Sequence, residues 1–363
     1  MTLKLGVSCG LALFLAILPA HADPIRIASF NAELSRDGPG LLLRDIQRGK
    51  DKQIAAVVAV IAQASPDVLA LQGFDWDHDG VALAAFADLL RAAGSDYRHI
   101  YAPRPNSGMA TDLDLDGDGR RGGPGDAQGY GSFTGRGGIA VLSRFPIITG
   151  KARDFSAVLW RDLPGALLPQ YPDGAPYPSP EALAVQRLSS TGHWVVPIHL
   201  PDGSEMTLLT FQAGPPVFDG PEDRNGRRNH DEITFWRVFL AGGFGLTPAK
   251  RFVLAGGANL DAHDSDGRHQ AIRALLSDPR LQDSHPRSQG AAAAGDQGHK
   301  GPDALDTVDW PRVGRLRVDY VLPSSDWRVV ASGVLWPPPG DARQEDVLTA
   351  SRHRLVWVDL ALD

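Results

Sequence analysis

The chain has 363 residues, 43% of them hydrophobic and 22% charged, with 43 Asp and Glu against 36 Lys and Arg. These fractions are typical of a soluble globular protein with enough length for a sizeable core. The net charge of −7 excludes a protein whose own field draws it to nucleic acid or anionic membranes without help from divalent cations.

The first 22 residues predict a signal peptide. Lys4 precedes an apolar run at residues 11–18, and Ala20-His21-Ala22 has the small-x-small form of a signal-peptidase site. Cleavage there would leave residues 23–363 as one exported domain, in the periplasm or outside the cell. The sole cysteine, Cys9, would be removed with the signal, so the mature chain is expected to have no disulfide and no cysteine metal site.

Strand and helix patterns alternate after the signal. Apolar residues at alternate positions predict a strand over 25–31, and helical spacing predicts a helix around 54–61. A second strand is predicted over 67–72, followed by a helix over 81–92. This strand–helix–strand order indicates an α/β sheet.

Further along, Pro201-Asp202-Gly203 separates two strand-like runs, 194–200 and 206–212, which predicts an antiparallel hairpin. A helix is predicted near 227–240. The remaining strands are predicted near 252–256, 316–322, 327–331 and 354–360. Three segments rich in Gly, Pro, Asp and Ala are interpreted as long irregular loops: 102–137, 279–314 and 333–351.

Polar motifs close several of these strands in a fixed order: Ser29-Phe30-Asn31, Leu71-Gln72-Gly73, Gln212, Gly256-Gly257-Ala258-Asn259, Arg317-Val318-Asp319-Tyr320 and Ser351-Arg352-His353. In this order they resemble the motifs of the endonuclease/exonuclease/phosphatase superfamily, over nearly all of residues 24–361. The resemblance implies an α/β fold, a four-layered α/β/β/α sandwich of two mixed sheets with outer helices. It also implies a phosphoester substrate, attacked by water at the strand ends with the help of a divalent metal ion.

Four residues match the family's pattern, and the resemblance implies their roles. Asn31 corresponds to an asparagine near the metal ion. Asn259 and His353 would contact the phosphate, and Asp319 would orient His353. Mg²⁺ or Mn²⁺ is the cofactor that the resemblance implies for an active cleft.

Four principal positions depart from the pattern. Gly73 replaces a metal-binding glutamate, Gly257 replaces an aspartate that orients or activates water, and Arg352 replaces the acid beside the histidine. Gln212 stands in place of a phosphate-orienting histidine; it can donate a hydrogen bond but carries no charge. Because losing one member of a catalytic set can cost orders of magnitude in rate, we expect weakened or lost catalysis. We expect the backbone to present these positions already, so Gly73→Glu with Gly257→Asp should restore part of the activity.

A non-catalytic binding protein that keeps the cleft is the alternative function. A second alternative is that carboxylates have moved: Asp75, Asp77 and Asp79 follow Gly73, and Asp261 lies beyond Asn259, so a loop shift could return a metal ligand to the cleft. Aspartate is also frequent after strands simply because it forms turns.

The segment from Asp112 to Gly119 has alternating carboxylates. Asp114, Asp116, Asp118 and the later Asp126 have a spacing similar to that of a calcium-binding loop of the EF-hand type, although the glutamate that closes such a loop is missing. The sequence therefore predicts a Ca²⁺ site, with a solvated Asp/Gly turn as the alternative.

Arg227 and Arg228 lie near the start of the predicted helix over 227–240. A helix N-terminus with two arginines could receive a phosphate. The alternative is a rigid loop held by its own salt bridges. The sequence shows no strong signal for nucleic acid or membrane as a partner.

Overall fold

The structure, a computed structural model, describes residues 23–248 and 250–362. The predicted signal peptide at residues 1–22 lies outside the described residues. Within them, no helix is both long and apolar enough to cross a lipid bilayer.

Thirteen strands are described, and six of them form the first sheet. Its spatial order is β12 (Val329–Val334), β13 (Val356–Leu360), β1 (Ile25–Leu34), β2 (Val68–Phe74), β4 (Gly138–Ser143) and β3 (His99–Tyr101). β1 and β2 are parallel, and every other neighbouring pair is antiparallel. The register pairs Asn31 with Gln72, and β1 then bulges before Leu34.

The second sheet has five strands, in the order β11 (Asp319–Pro323), β8 (Phe252–Gly257), β7 (Glu205–Gln212), β6 (Gly192–His199) and β5 (Arg153–Asp154). Only β7 and β8 are parallel. Gly257 is paired with Gln212 on one side and with Asp319 on the other, so three sequence-predicted site positions share one end of this sheet. A separate two-stranded ribbon joins β9 (Val308–Trp310) to β10 (Gly314–Leu316).

Eight α-helices are described: α1 (Leu41–Arg48), α2 (Lys52–Ala64), α3 (Val81–Ala92), α4 (Pro180–Val185), α5 (Arg224–Leu240), α6 (Gln270–Leu276), α7 (Gln289–Ala294) and α8 (Gln344–Ala350). The apolar faces of α1, α2, α3 and α8 pack on the outer side of the first sheet. The apolar faces of α5 and α6 pack on the outer side of the second.

A third apolar core lies between the sheets. It consists of inward-facing side chains from both, including Ile27, Val141, Val196, Val253 and Val358. Alternate residues of each strand supply this layer, because successive side chains point to opposite faces of a sheet. Helices, sheet, sheet and helices therefore form four layers, and the predicted α/β fold class of two mixed sheets with outer helices is confirmed.

Two of the three predicted irregular segments contain regular elements, so that part of the sequence interpretation was wrong. α7 and β9 lie within 279–314, and α8 lies within 333–351. Both helices are short, and α8 buries only Val347 and Ala350. Two buried residues are too few to produce a recognisable helical period.

Candidate active site

A buried hydrogen bond between His353 and Asp319 is the centre of the site. His353 Nδ1 lies 2.8 Å from Asp319 Oδ2, and the two residues are 4% and 0% exposed. The Thr307 hydroxyl donates to the same carboxylate oxygen at 2.9 Å. A carboxylate can only accept, so we assign the proton to Nδ1, which leaves Nε2 as the acceptor that faces Asn31.

Asn31 connects this pair to the bulge in β1. Its Nδ2 lies 3.4 Å from His353 Nε2, and its Oδ1 accepts a hydrogen bond from the Glu33 backbone N–H at 3.2 Å. Glu33 has a left-handed backbone, with φ +49°. The bulge directs the Glu33 side chain toward the segment that precedes β13.

Glu33 forms an ion pair with Arg352. Its Oε1 accepts from Arg352 Nε at 2.9 Å and also from Nη2, and its Oε2 accepts from the Arg352 backbone N–H at 2.8 Å and the Ser351 hydroxyl at 3.0 Å. Burial works to raise the pKa of the Glu33 carboxyl, but the hydrogen bonds from Arg352 outweigh it and lower that pKa below its usual value. Sequence reasoning missed Glu33, whose only signal was an acidic residue two places beyond Asn31.

Gly73 lies beside Asn31 in a conformation that does not suit a side chain. Its φ is +70°, and a Cβ added there would overlap Asn31 Oδ1 and lie 2.9 Å from the Glu33 backbone nitrogen. The expectation that the backbone at Gly73 is ready to present a glutamate is therefore wrong, because both the φ angle and the neighbouring atoms oppose it.

Gly257 differs from Gly73, since its backbone has no positive φ. A Cβ there would overlap Oε1 of Gln212 and lie 2.9 Å from its Cδ. The Gln212 side chain thus covers Gly257, and its Oε1 is buried without a hydrogen-bond partner among the described residues. An aspartate at 257 needs Gln212 to move or to be replaced.

Asn259 completes the polar set from the end of β8. Its Nδ2 donates to the Ala213 carbonyl at 2.8 Å, which ties the loop after β8 to the loop after β7. Asn229 on α5 reinforces this connection by donating to the Gly214 and Ala258 carbonyls, each at 2.8 Å. Helix α5 therefore holds the two loops that form one side of the site.

These residues border a cleft of about 950 Å³. Glu33, Asn259, Arg352 and His353 line one part of it. The other wall is largely apolar and includes Val217, Phe218, Trp310 and Val313, with Arg312, Asp264 and Asp266 at its polar edge. Asp319, Gln212 and Gly257 lie buried behind the cleft, and Gly73 adjoins Asn31, so the seven sequence-predicted positions form one connected group.

Asp75 and Asp77, predicted as metal ligands, do not line this cleft. Asp75 accepts the backbone N–H groups of Arg36 and Gly137 at 2.7 and 2.8 Å, and burial raises the pKa of its carboxyl. Asp77 caps α3, accepting from the first N–H groups of that helix at 2.8 Å. Both border a separate cleft of about 600 Å³.

Asp261 is also engaged elsewhere. Its Oδ1 accepts the backbone N–H groups of His263 and Asp264, and its Oδ2 accepts that of Arg317 at 2.7 Å. It borders a third cavity of about 230 Å³. Asp79 borders the same 600 Å³ cleft as Asp75 and Asp77, so none of the four candidates for a relocated carboxylate lines the cleft of His353.

The predicted calcium loop brings three carboxylates together. Oxygen atoms of Asp114, Asp116 and Asp118 lie within 4.8 Å of one another, so this triad could hold a metal ion. Asp126 is used differently, because its two oxygens accept the backbone N–H groups of Leu115 and Gly123 at 2.9 and 2.8 Å.

Arg228 is buried in the second helical layer. It donates to the Leu188, Arg187, Ser189 and Gln128 carbonyls, and burial lowers the pKa of its guanidinium to about 10. Arg227 donates to the Glu222 carbonyl. These are the bonds of structural arginines, and their acceptors are backbone carbonyls and not the carboxylates that an internally salt-bridged loop would supply.

Residues 28–353 match the family model described as the Endonuclease/Exonuclease/phosphatase family. The chain belongs to this family. Its members act on phosphoesters and typically depend on a divalent metal ion. No match is found among curated protein sequences.

Solved structures share the fold at low sequence identity. An endonuclease/exonuclease/phosphatase from Beutenbergia cavernae DSM 12333 superposes with a TM-score of 0.54 at 20% identity, covering 94% of this chain and 72% of that one. A family protein from Leptotrichia buccalis C-1013-b has a TM-score of 0.51 at 17% identity, covering 93% and 100%. One from Bacteroides vulgatus has a TM-score of 0.50 at 13% identity, covering 94% and 100%.

The donor groups of the cleft do not fit the family's divalent metal ion. Mg²⁺ needs one or two carboxylates beside water and phosphate oxygens. Gly73 and Gly257 supply none, and the carboxylate nearest Asn31 is that of Glu33, whose two oxygens both accept hydrogen bonds from the segment at Ser351 and Arg352. A metal ion would have to displace the Arg352 guanidinium to reach it.

Gly73→Ala should therefore destabilise the protein more than the same change at Gly49. Both glycines have positive φ, so each substitution carries the cost of a left-handed alanine, about 1–2 kcal/mol. Only at Gly73 does the new Cβ meet neighbouring atoms, whereas at Gly49 nothing lies within 4 Å. We expect an additional loss of about 1–3 kcal/mol in the free energy of unfolding, measured by urea denaturation. Equal losses at the two sites would show that residue 73 has room for a side chain.

Proposed function

We propose that the cleft binds a phosphoester and that family-type hydrolysis there is weak or absent. One observation supports this most: the His353–Asp319 pair and the two asparagines stay together, while Gly73 cannot accept a carboxylate without strain. His353, Asp319 and the two asparagines are kept, and residues 73 and 257 supply no carboxylate.

In this proposal the phosphoryl group lies beside the His353 imidazole and accepts hydrogen bonds from the side-chain amides of Asn31 and Asn259. Asp319 fixes the imidazole by accepting the Nδ1 proton, so that Nε2 keeps one direction. The apolar wall that includes Phe218 and Trp310 would receive the organic part of the ester. Phe218 is 88% exposed, which leaves its ring free to contact a ligand.

A non-catalytic binding protein is the second candidate function, and the replacements at the acidic positions favour it. Residue 257 is a glycine covered by the Gln212 side chain, so it offers no carboxylate to orient or activate water. The proposed export to the periplasm or the medium is compatible with either function. A divalent ion such as Mg²⁺ or Mn²⁺ would be needed only if the cleft is catalytically active.

The amount of hydrolysis separates the two candidates: slow release of p-nitrophenol would indicate a weakened hydrolase, and none would indicate a non-catalytic binding protein. We expect the mature chain to bind bis-p-nitrophenyl phosphate in calorimetry yet to release p-nitrophenol slowly or not at all with Mg²⁺, Mn²⁺ or Ca²⁺. The reason is that each missing acid–base group typically costs about 10²–10⁴-fold in rate. His353→Gln should weaken binding. The same substitution at His199, an exposed histidine on β6, should leave binding unchanged.

Robust metal-dependent turnover by the natural chain would contradict weak catalysis. If Asp77→Ala or Asp261→Ala then abolished that turnover, relocated carboxylates would be established. Absence of any binding, with the fold intact by circular dichroism, would contradict a phosphoester ligand.

We further propose that the triad of Asp114, Asp116 and Asp118 binds Ca²⁺. Three carboxylates in close contact repel one another, and a cation removes this repulsion. Burial and the neighbouring acids raise the pKa of the Asp116 carboxyl, as expected for a carboxylate without a counter-charge.

Calcium should therefore bind with one ion per chain and stabilise the fold. At 100 times the dissociation constant, the gain in free energy of unfolding is about 2.7 kcal/mol. Asp114→Asn with Asp116→Asn should abolish the calorimetric signal and the rise in melting temperature. The exposed Asp112→Asn is the matched control and should change neither. Melting temperatures that are equal with calcium and with chelator would count against this site.

A further inference from the structure

The Glu33–Arg352 ion pair lies where the resemblance expects the divalent metal ion. A side chain at residue 73 would begin against Asn31 Oδ1 and the Glu33 backbone nitrogen, so the missing glutamate would point into this region. Glu33 brings a carboxylate to the same neighbourhood from β1. Arg352, which replaces the family's acid, brings a positive charge to it.

The hydrogen bonds of this ion pair occupy the Glu33 oxygens that could otherwise coordinate a metal ion. Glu33 Oε1 accepts from Arg352 Nε and Nη2, and Oε2 accepts from the Arg352 backbone N–H. The single Ser351 hydroxyl proton is shared between Oε2 at 3.0 Å and the Asn31 carbonyl at 2.8 Å. Both guanidinium donors reach the same oxygen, Oε1, and charge-assisted hydrogen bonds of this kind are stronger than those between neutral groups. A hydrated divalent ion would have to break these bonds and also face the guanidinium charge.

The same arginine keeps a free donor for a ligand. Arg352 lines the cleft with His353, and its side chain is 58% exposed. Its Nη1 makes no hydrogen bond to any residue that the structure describes. A planar guanidinium presents such N–H groups to phosphate oxygens in a matching geometry.

We infer that the Arg352 guanidinium, held by Glu33, takes the place of the divalent cation in this cleft, so that the cleft binds phosphoryl groups without metal. This inference rests on the proposed phosphoester ligand and adds how its anionic part is recognised. The charge supplied is smaller than that of a metal ion, because the pair with Glu33 is neutral overall. Binding should therefore rely on hydrogen bonds from Arg352 and Asn31 more than on net charge.

The first test measures metal binding directly. Mn²⁺ is titrated into the full mature chain carrying Asp114→Asn, Asp116→Asn and Asp118→Asn, which removes the loop triad, and free Mn²⁺ is counted by electron paramagnetic resonance. We expect no Mn²⁺ bound at the cleft. Adding Arg352→Ala frees Oε1 of Glu33 and removes the guanidinium charge, which should create one Mn²⁺ site that Glu33→Gln then removes.

Arg352→Lys is the charge-conserving control. It keeps a cation beside Glu33 and should still exclude Mn²⁺, but it loses the fork that a phosphoryl group needs. Mn²⁺ bound at the cleft with Arg352 in place and lost on Glu33→Gln would overturn the inference. Failure of Arg352→Ala to gain Mn²⁺, with its melting curve unchanged, would also overturn it.

The second test uses phenylphosphonate, which carries a phosphoryl group but has no ester bond to hydrolyse. We expect calorimetric binding to the unaltered chain to be the same with chelator and with Mn²⁺. Arg352→Ala and Arg352→Lys should each weaken it in chelator, by about tenfold or more for a charge-assisted hydrogen bond. Binding that appears only with Mn²⁺ would overturn the inference and keep the proposed ligand. If phenylphosphonate binds under neither condition, the proposed ligand fails, while the Mn²⁺ titration still decides whether Arg352 excludes a metal ion.

Discussion

The hydrogen bond between Asp319 and His353 joins the two sheets at the end where the cleft opens. Asp319 begins β11 of the second sheet, and His353 lies just before β13 of the first. The pair is buried, so losing one partner would leave a polar group without compensation, which is costly in an apolar interior. This contact holds the histidine in place. Asn31 then contacts the other ring nitrogen of His353, and Arg352 is the residue directly before it in the chain.

Around this pair, neighbouring atoms occupy the space at the positions that depart from the family's pattern. Asn31 and the Glu33 backbone fill the space next to Gly73, and Gln212 fills the space over Gly257. Glu33 and Arg352 then neutralise each other where separate acids and a metal ion are expected. Because neighbouring atoms occupy the space at Gly73 and at Gly257, the site is packed without acids at these two positions. Restoring one acid at a time would meet the atoms that now occupy its place.

Much of the fold could be predicted from the sequence, because its strands and long helices have clear periods. The helix over 81–92 and the hairpin around Pro201-Asp202-Gly203 agree with the structure. Short elements such as α8 were not predicted, because they bury too few residues to show a helical period. The site was harder to predict: the motifs identified Asn31, Asn259, Asp319 and His353, but a bulge was needed to bring Glu33 to Arg352. Bulges and positive φ angles depend on tertiary packing, and a charged residue two places along a strand gives little sign of them.

The most direct test of the account is a crystal structure of the chain grown with MnCl₂ and phenylphosphonate, with anomalous scattering used to locate Mn²⁺. We expect density for the phosphonate against Arg352 and His353, an intact Glu33–Arg352 pair, and no anomalous peak beside Asn31. A Mn²⁺ peak between Asn31 and Glu33, with Arg352 turned away to solvent, would contradict it.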